Sequence, residues 1–395
     1  MKNRFTIILI AFLLLFSTNL QASHYHGADI SYTSLGNNQY DVQFTYFIDC
    51  GSAQAGTAVS LTFEPSSSSC SSFTHQLNLL PNYPEYITHL CPTGVSNCTN
   101  PSAPYGYRKY IYKGIVTMPT TCTDWNIIWY TCCRNASAGS LVNGSNEHVY
   151  IKTTLNTAIT NSSPTFNEGK PLYSGCPNDT TYLSFLADDL DGDSLVYSLV
   201  APLSGSIGGT ISNVAYASGF SGTSPIIGTT SINSKTGLVR FIPTTWIRTY
   251  VAVLVEEYRN NIKIGETRRD LSILIGGFAC INNTLPKVSK GNGTNVSSGS
   301  FTFTHKANTP FSLNLQTYDV EASTGLDSLA SLWGNVPTNA TTIAGTSPSL
   351  NWTPTNADTG SYFITLYLTD NHCDFAGVNT FIFKVIVKKI AKEHI

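Results

Sequence analysis

The chain has 395 residues, of which only 12% are charged against about 25% in ordinary soluble domains, and its formal net charge is −2. So weak a field excludes electrostatic capture of nucleic acid or of an anionic membrane surface. Its polarity comes from Ser, Thr and Asn, which with many Val, Ile, Tyr and Phe residues favour strands joined by hydrogen-bonding turns.

In chain order, Lys2 and Arg4 precede an apolar run from Phe5 to Phe16 and a polar stretch ending in Leu20, Gln21 and Ala22. This is the pattern of a secretory signal peptide over 1–22. The run is shorter than the roughly 20 residues a membrane span needs, so the mature chain is expected to start near Ser23, secreted and without a transmembrane segment. About 370 residues then remain, enough for about three domains of ~100–150 residues. Strand signals with largely alternating polarity follow at Tyr40 to Phe47, Tyr107 to Val116, Val251 to Glu257 and Phe381 to Val387. No segment after the signal peptide shows helical periodicity. The expected fold is all-β, as tandem β-sandwich modules behind a disulfide-rich N-terminal β-domain. Boundaries are expected at Asn161-Ser162-Ser163-Pro164 and at Cys280 to Pro286, giving units at 23–160, 161–279 and 280–390.

The last two units contain a repeat. Gly237 to Pro243 followed by Tyr250 matches Pro348 to Pro354 followed by Tyr362, and the two prolines lie 111 residues apart (354 − 243), about one sandwich domain. Phe241 and Trp352 are expected in the core, and Tyr250 and Tyr362 to be anchors whose hydroxyls find backbone partners.

Ten cysteines in an exported chain point to disulfides. Cys50, Cys70, Cys91, Cys98, Cys122, Cys132 and Cys133 lie in the first unit, Cys176 in the second, and Cys280 and Cys373 bracket the third. Seven is odd, and adjacent cysteines rarely bridge each other, so Cys132 or Cys133 is expected to reach Cys176.

The start of the mature chain (SHYHGADISYTSLGNNQYDVQFTYFIDC), the CCRN run at Cys132 to Asn135 and the DGDSLVYSL run from Asp191 resemble the N-terminal region of Bacteroidetes surface proteins. Many of these carry PKD or cadherin-like Ig repeats and are described as gliding-motility-associated. The resemblance implies Ig/cadherin-like sandwiches and an adhesin-like role at the cell surface. Such proteins often continue into a sorting domain, which is not visible here. The sequence is therefore expected to be either a short family member or truncated.

The sharpest candidate site is the acidic run Asp188, Asp189, Asp191 and Asp193, in which Gly192 permits a tight turn and alternate carboxylates converge on a hard cation. Calcium is the expected guest. The run is not an EF-hand, since counting from Asp189 puts Ser194 where that loop needs Gly. Further carboxylates are expected from Glu256, Glu257 or Asp270, by the resemblance to cadherin-like repeats. The third unit retains only Asp319 and Glu321 at the matching place. His24 and His26 offer a weak metal pair beside the new amino terminus. Tyr105, Tyr107, Tyr110 and Tyr112, with Arg108 and Lys109, form an aromatic, basic strand that suits sugar rings. Alternation puts Tyr105 and Tyr107 on one face and Tyr110 and Tyr112 on the other, so at least one pair is expected in the core. Trp125 and Trp129 are read in the same two ways, as sugar platform or as packing near the cysteines.

No nucleophile elbow, zinc helix, phosphate loop or redox pair is present. The doublets Asp188-Asp189 and Glu256-Glu257 point to opposite strand faces and make no glycosidase pair. The chain is thus expected to be a non-catalytic binder of a cell-surface protein or glycan; the alternative is a glycan-binding accessory protein for polysaccharide capture.

Overall fold

The computed structural model describes residues 25–52, 54–66, 70–88, 95–103, 106–135, 137–166, 174–276, 280, 283–295, 299–323, 328–372 and 376–389. The expected signal peptide, His24, Cys91, Tyr105 and Cys373 lie outside these residues. The all-β expectation holds, with only short helical turns among the strands.

The first region contains β1 (Tyr25–Gly36), β2 (Gln39–Asp49), β3 (Ala58–Pro65), β4 (Phe73–Leu79), β5 (Glu85–Thr88), β6 (Gly106–Thr117), β7 (Trp125–Thr131) and β8 (Val149–Leu155). The β1–β2 hairpin turns on Asn37 and Asn38 at φ 51° and 58°, a left-handed conformation that asparagine tolerates. The second region contains β9 (Thr165–Phe166), β10 (Ser174–Gly175), β11 (Thr181–Ser184), β12 (Ala187–Asp188), β13 (Ser194–Val200), β14 (Leu203–Ser204), β15 (Ser212–Asn213), β16 (Gly228–Ile232), β17 (Leu238–Pro243), β18 (Ile247–Arg259) and β19 (Ile262–Ile275). The third contains β20 (Lys287–Gly291), β21 (Thr294–Asn295), β22 (Ser300–Lys306), β23 (Phe311–Tyr318), β24 (Leu329–Gly334), β25 (Thr341–Ile343), β26 (Ser349–Trp352), β27 (Gly360–Asp370) and β28 (Val378–Lys388).

Strand pairing runs β19-β1-β2-β6-β4-β3-β7-β8, and Thr267 of β19 pairs in turn with Thr153 of β8, closing a ring of eight strands. Side chains hold the seam: Glu266 N donates to Thr154 Oγ1 at 2.8 Å and Thr153 Oγ1 to the Glu266 carbonyl at 3.1 Å. Ile30, Phe44, Phe63, Trp125, Ile127 and Ile151, from five of these strands, fill one core inside the ring. The boundary expected at 160/161 therefore does not separate two sheets, because the closing strand comes from the second region. The residues expected to form a free linker are buried for a physical reason. Ser163 Oγ accepts from Tyr32 N at 2.8 Å and Ser162 Oγ from Ser34 N at 3.2 Å, satisfying backbone groups on the edge of β1.

On the outer face of the same sheet, β13, β18 and β19 face the three-stranded sheet β11-β17-β16 across a second core. Val251, Val253 and Ile273 meet Leu183, Val239 and Phe241 there, and Phe47 and Tyr107 of the first region join them. Between 284 and 389, sheets β21-β20-β23-β26-β25 and β22-β28-β27-β24 enclose a third core around Leu313, Leu350, Trp352, Ile364 and Phe383. The repeat read from the sequence appears as topology. In the second region β10 runs parallel to β19, with β18 and β13 beyond it; in the third β22 runs parallel to β28, with β27 and β24 beyond it. Phe241 and Trp352 are both buried. Tyr250 is an anchor, donating to the Tyr25 carbonyl at 3.1 Å and accepting from Asn135 N at 2.8 Å. Tyr362 is only partly buried, edge-on to Trp352 at 4.8 Å.

Disulfides join Cys50 to Cys98, Cys70 to Cys122, Cys132 to Cys133 and Cys176 to Cys280. The expected bridge from Cys132 or Cys133 to Cys176 is thus replaced by two others. Cys176 follows β10 and Cys280 follows β19, and these strands lie side by side in parallel, which brings their ends together.

Candidate functional site

Three segments meet where the ring joins the second region: residues 160–162, the turn from β12 to β13, and the far end of β18. Gly192 lets the turn close at φ +81°, in open space. Asp189 Oδ1 organises it by accepting from Asp193 N at 2.8 Å and Asp191 N at 3.1 Å. Asp191 Oδ2 accepts from Ser162 N at 2.6 Å, tying the turn to the crossing segment. One oxygen each of Asp189, Asp191 and Asp193 then lies within 4.8 Å of the others. Oxygens that share one calcium, each at about 2.3–2.6 Å from it, lie no more than about 5 Å apart, so this spacing fits.

Glu257 adds a fourth carboxylate. It is fully buried, Gly265 leaves room for it, and Asn161 Nδ2 donates to its Oε1 at 2.8 Å. Glu257 Oε2 and Asp189 Oδ2 are shut off from solvent, and the two carboxyl groups face each other. Burial is the main cause that raises the pKa of both groups; at Glu257 the Asn161 bond opposes the rise, and the charge of Asp189 and the hydrogen bond to it add to the rise. Arg259 forms the opposite wall. Its Nε donates to Asp193 Oδ1 at 2.8 Å and its Nη2 to Asn161 Oδ1 at 2.6 Å, and the Arg259 bonds hold Asp193 below the usual carboxylate range. Three turn carboxylates spaced to share a divalent cation thus face one guanidinium, with Glu257 buried behind Asp189.

Of the residues expected at this site, Asp189, Asp191, Asp193 and Glu257 come together and Asp188 and Glu256 do not. Asp188 is exposed, on the strand before the turn. Glu256 lies on the other face of β18, where Lys263 Nζ donates to it at 2.5 Å. Asp270 is distant in role, buried against Arg134 at 2.7 Å. Asn161 and Arg259 were not read as site residues from the sequence. Their signal was only proximity, Arg259 standing two residues after Glu257 on the same strand face. In the third region Asp319 Oδ1 accepts from Ala322 N at 2.8 Å and Glu321 Oε2 from Thr284 Oγ1 at 2.8 Å, so one oxygen of each is held by local structure.

The tyrosine strand is not a platform. Tyr110 and Tyr112 point into the ring core and Tyr107 into the second core, because β6 is covered on both faces. Trp125 and Trp129 are buried in the ring core with Cys122. His26 is buried and stacks on Tyr107 at 3.7 Å, which removes it from any terminal metal pair. Cys132, Cys133 and His148 also cluster, but the bridge between the two cysteines leaves no thiolate to offer.

No family model matches the sequence, and no curated protein does. Among solved structures the chain is similar to an endo-fucoidan hydrolase of glycoside hydrolase family 107 (16% identity, TM-score 0.21), over 80% of this chain and 39% of that one. It spans well under half of that hydrolase. It is also similar to the human protocadherin-24 EC1-2 pair (14% identity, TM-score 0.20, 58% of this chain and 99% of that one) and to titin domains Z1Z2 bound to telethonin (9% identity, TM-score 0.20, 59% and 100%). At these scores none of them bears on function.

Proposed function

We propose that the chain is a non-catalytic, exported, adhesin-like protein of the Bacteroidetes surface-protein type, which presents a ligand through β-modules whose first junction is stiffened by calcium. The observation that carries the calcium reading is the convergence of one oxygen each of Asp189, Asp191 and Asp193 within 4.8 Å at that junction. These three would hold the ion, with the buried Glu257 packed against Asp189 behind them, and the ion's charge would offset carboxylates that Arg259 alone does not balance. Disulfides support export, and no helix among the described residues is long and apolar enough to cross a membrane. The bound partner would be a cell-surface protein or a glycan.

Thermal melts in chelator and in millimolar calcium test the calcium reading. An ion present at 100 times its dissociation constant adds about 2.7 kcal/mol, so the melting temperature should rise with calcium, and Asp191→Asn should abolish the rise. Identical melts under both conditions would exclude the calcium reading.

A further inference from the structure

At the opposite end of the β18–β19 hairpin, roughly 40 Å along the strand from Glu257, a shallow depression of about 460 Å³ opens between the second and third regions. It lies within the ~300–1,000 Å³ range of small-molecule sites. Its wall includes Trp246, the Cys176–Cys280 disulfide, Asn178, Asp179 and Lys287. Trp246 is 60% exposed, so most of its indole is open at the mouth of the depression.

Trp246 is held rather than dangling. Its ring lies against the backbone of Gly276, where an added methyl would come within 2.5 Å of Cγ. Gly276 is fixed in turn at φ +88° by its N–H bond to the Gly175 carbonyl at 2.6 Å. The indole is thus a preorganised apolar platform with polar groups beside it. Asn178 is set at φ 63° and anchored by its N–H to the Pro243 carbonyl at 2.6 Å. Asp179 pairs with Lys287 at 2.7 Å, which cancels their charges locally, and the Asp179 oxygens are held in place by Thr180 N at 2.7 Å and Leu285 N at 3.1 Å. Asn283 gives its Nδ2 to Asp370 at 3.1 Å, and its Oδ1 has no partner among the described residues.

An apolar ring beside neutralised, hydrogen-bonding groups matches one ligand chemistry. A pyranose has a face of C–H groups to lie on an indole and equatorial hydroxyls to bridge amide, carboxylate and ammonium. We infer that the depression around Trp246 binds an uncharged pyranose unit of a polysaccharide, with Trp246 as the stacking platform and Asn178, Asp179 and Lys287 as hydroxyl partners. This inference rests on the proposed role as a binding protein and supplies that role with a ligand class.

The test is calorimetric titration of the full chain with uncharged cello-, laminari-, xylo- and manno-oligosaccharides, with product analysis of the same mixtures. At least one should bind saturably, and Trp246→Ala should weaken binding by about tenfold or more while Trp246→Phe retains part of it. The exposure of Trp246 means both variants should keep the native far-ultraviolet dichroism and melting temperature. Absence of saturable binding to any of the four series would overturn the site and leave the adhesin reading standing. Binding unaffected by Trp246→Ala would overturn it too. Binding lost with Trp246 but accompanied by cleavage would keep the site and instead overturn the non-catalytic reading.

Discussion

The two junctions of this molecule are built on different terms. Between the ring and the second region the backbone itself is shared: β19 belongs to one by sequence and closes the other by pairing. Buried ion pairs cross the same seam, with Arg134 on Asp270 at 2.7 Å and Arg269 on Asp29 at 2.6 Å. Between the second and third regions no sheet is shared among the described residues. That contact includes a small apolar cluster of Leu186, Leu238 and Ile382, the Asn379 side chain accepting from Tyr182 N at 2.6 Å, the Asp179–Lys287 ion pair at 2.7 Å, and the Cys176–Cys280 bridge in the connecting segment. The first junction makes two expected modules one folding unit; the second docks a module that has its own core.

The sharpest way to break this comparison is truncation. Residues 23–160 alone lack β19 and should give no cooperative unfolding transition, whereas 23–282 should fold and melt as one. A stable, cooperative 23–160 fragment would show that the ring closes without its borrowed strand. Next in size is Arg134→Ala. Arg134 is fully buried, donates to the Leu203 carbonyl at 3.0 Å and lies 4.7 Å over the Tyr250 ring, so its loss strands the Asp270 carboxylate. The expected cost is about 3–5 kcal/mol in urea unfolding, with ring and second region still unfolding together.

Replacing Cys176 and Cys280 with serine should act on the other junction, costing about 2–4 kcal/mol, the usual range for a disulfide. Hydrogen exchange should then quicken near 176–180 and 283–287 while β27 and β28 stay protected. The smallest effect is a pH dependence in the third region. Burial, opposed by bonds from Gly377 and Asn283, pushes the Asp370 carboxyl up to about 6. Because its folded pKa exceeds the unfolded value, its contribution is fully present below about pH 4 and is lost as pH rises through 6, by roughly 2–3 kcal/mol. Asp370→Asn should flatten that slope in denaturant titrations read by β27 amide exchange, the new amide being able to donate to the unpartnered Asn283 Oδ1.

Local features were legible in the sequence and remote ones were not. Alternation announced the strands, and the two Pro-Thr corners announced a repeat that survives as matching strand order. The acidic run with Gly192 gave a converging turn because its geometry is set within five residues. Strand period settles Glu256 against Glu257 only once the buried face of β18 is known. The Cys176–Cys280 pairing follows from β10 lying parallel to β19, which no spacing encodes. The tyrosines of β6 misled for a related reason: alternation separated their faces correctly, but both faces proved to be covered by cores that partners from other regions complete. The ring's closure by β19 was the least visible of all, since Gly27 and its partner Leu271 are 244 residues apart (271 − 27).

That separation also sets an order of events. Chains emerge amino terminus first at about 5–20 residues per second, so β1 is made roughly 10–50 seconds before the strand that covers its outer edge. Throughout that interval the newborn chain carries the edge of β1 open at Gly27 and Ala28, where β19 later pairs.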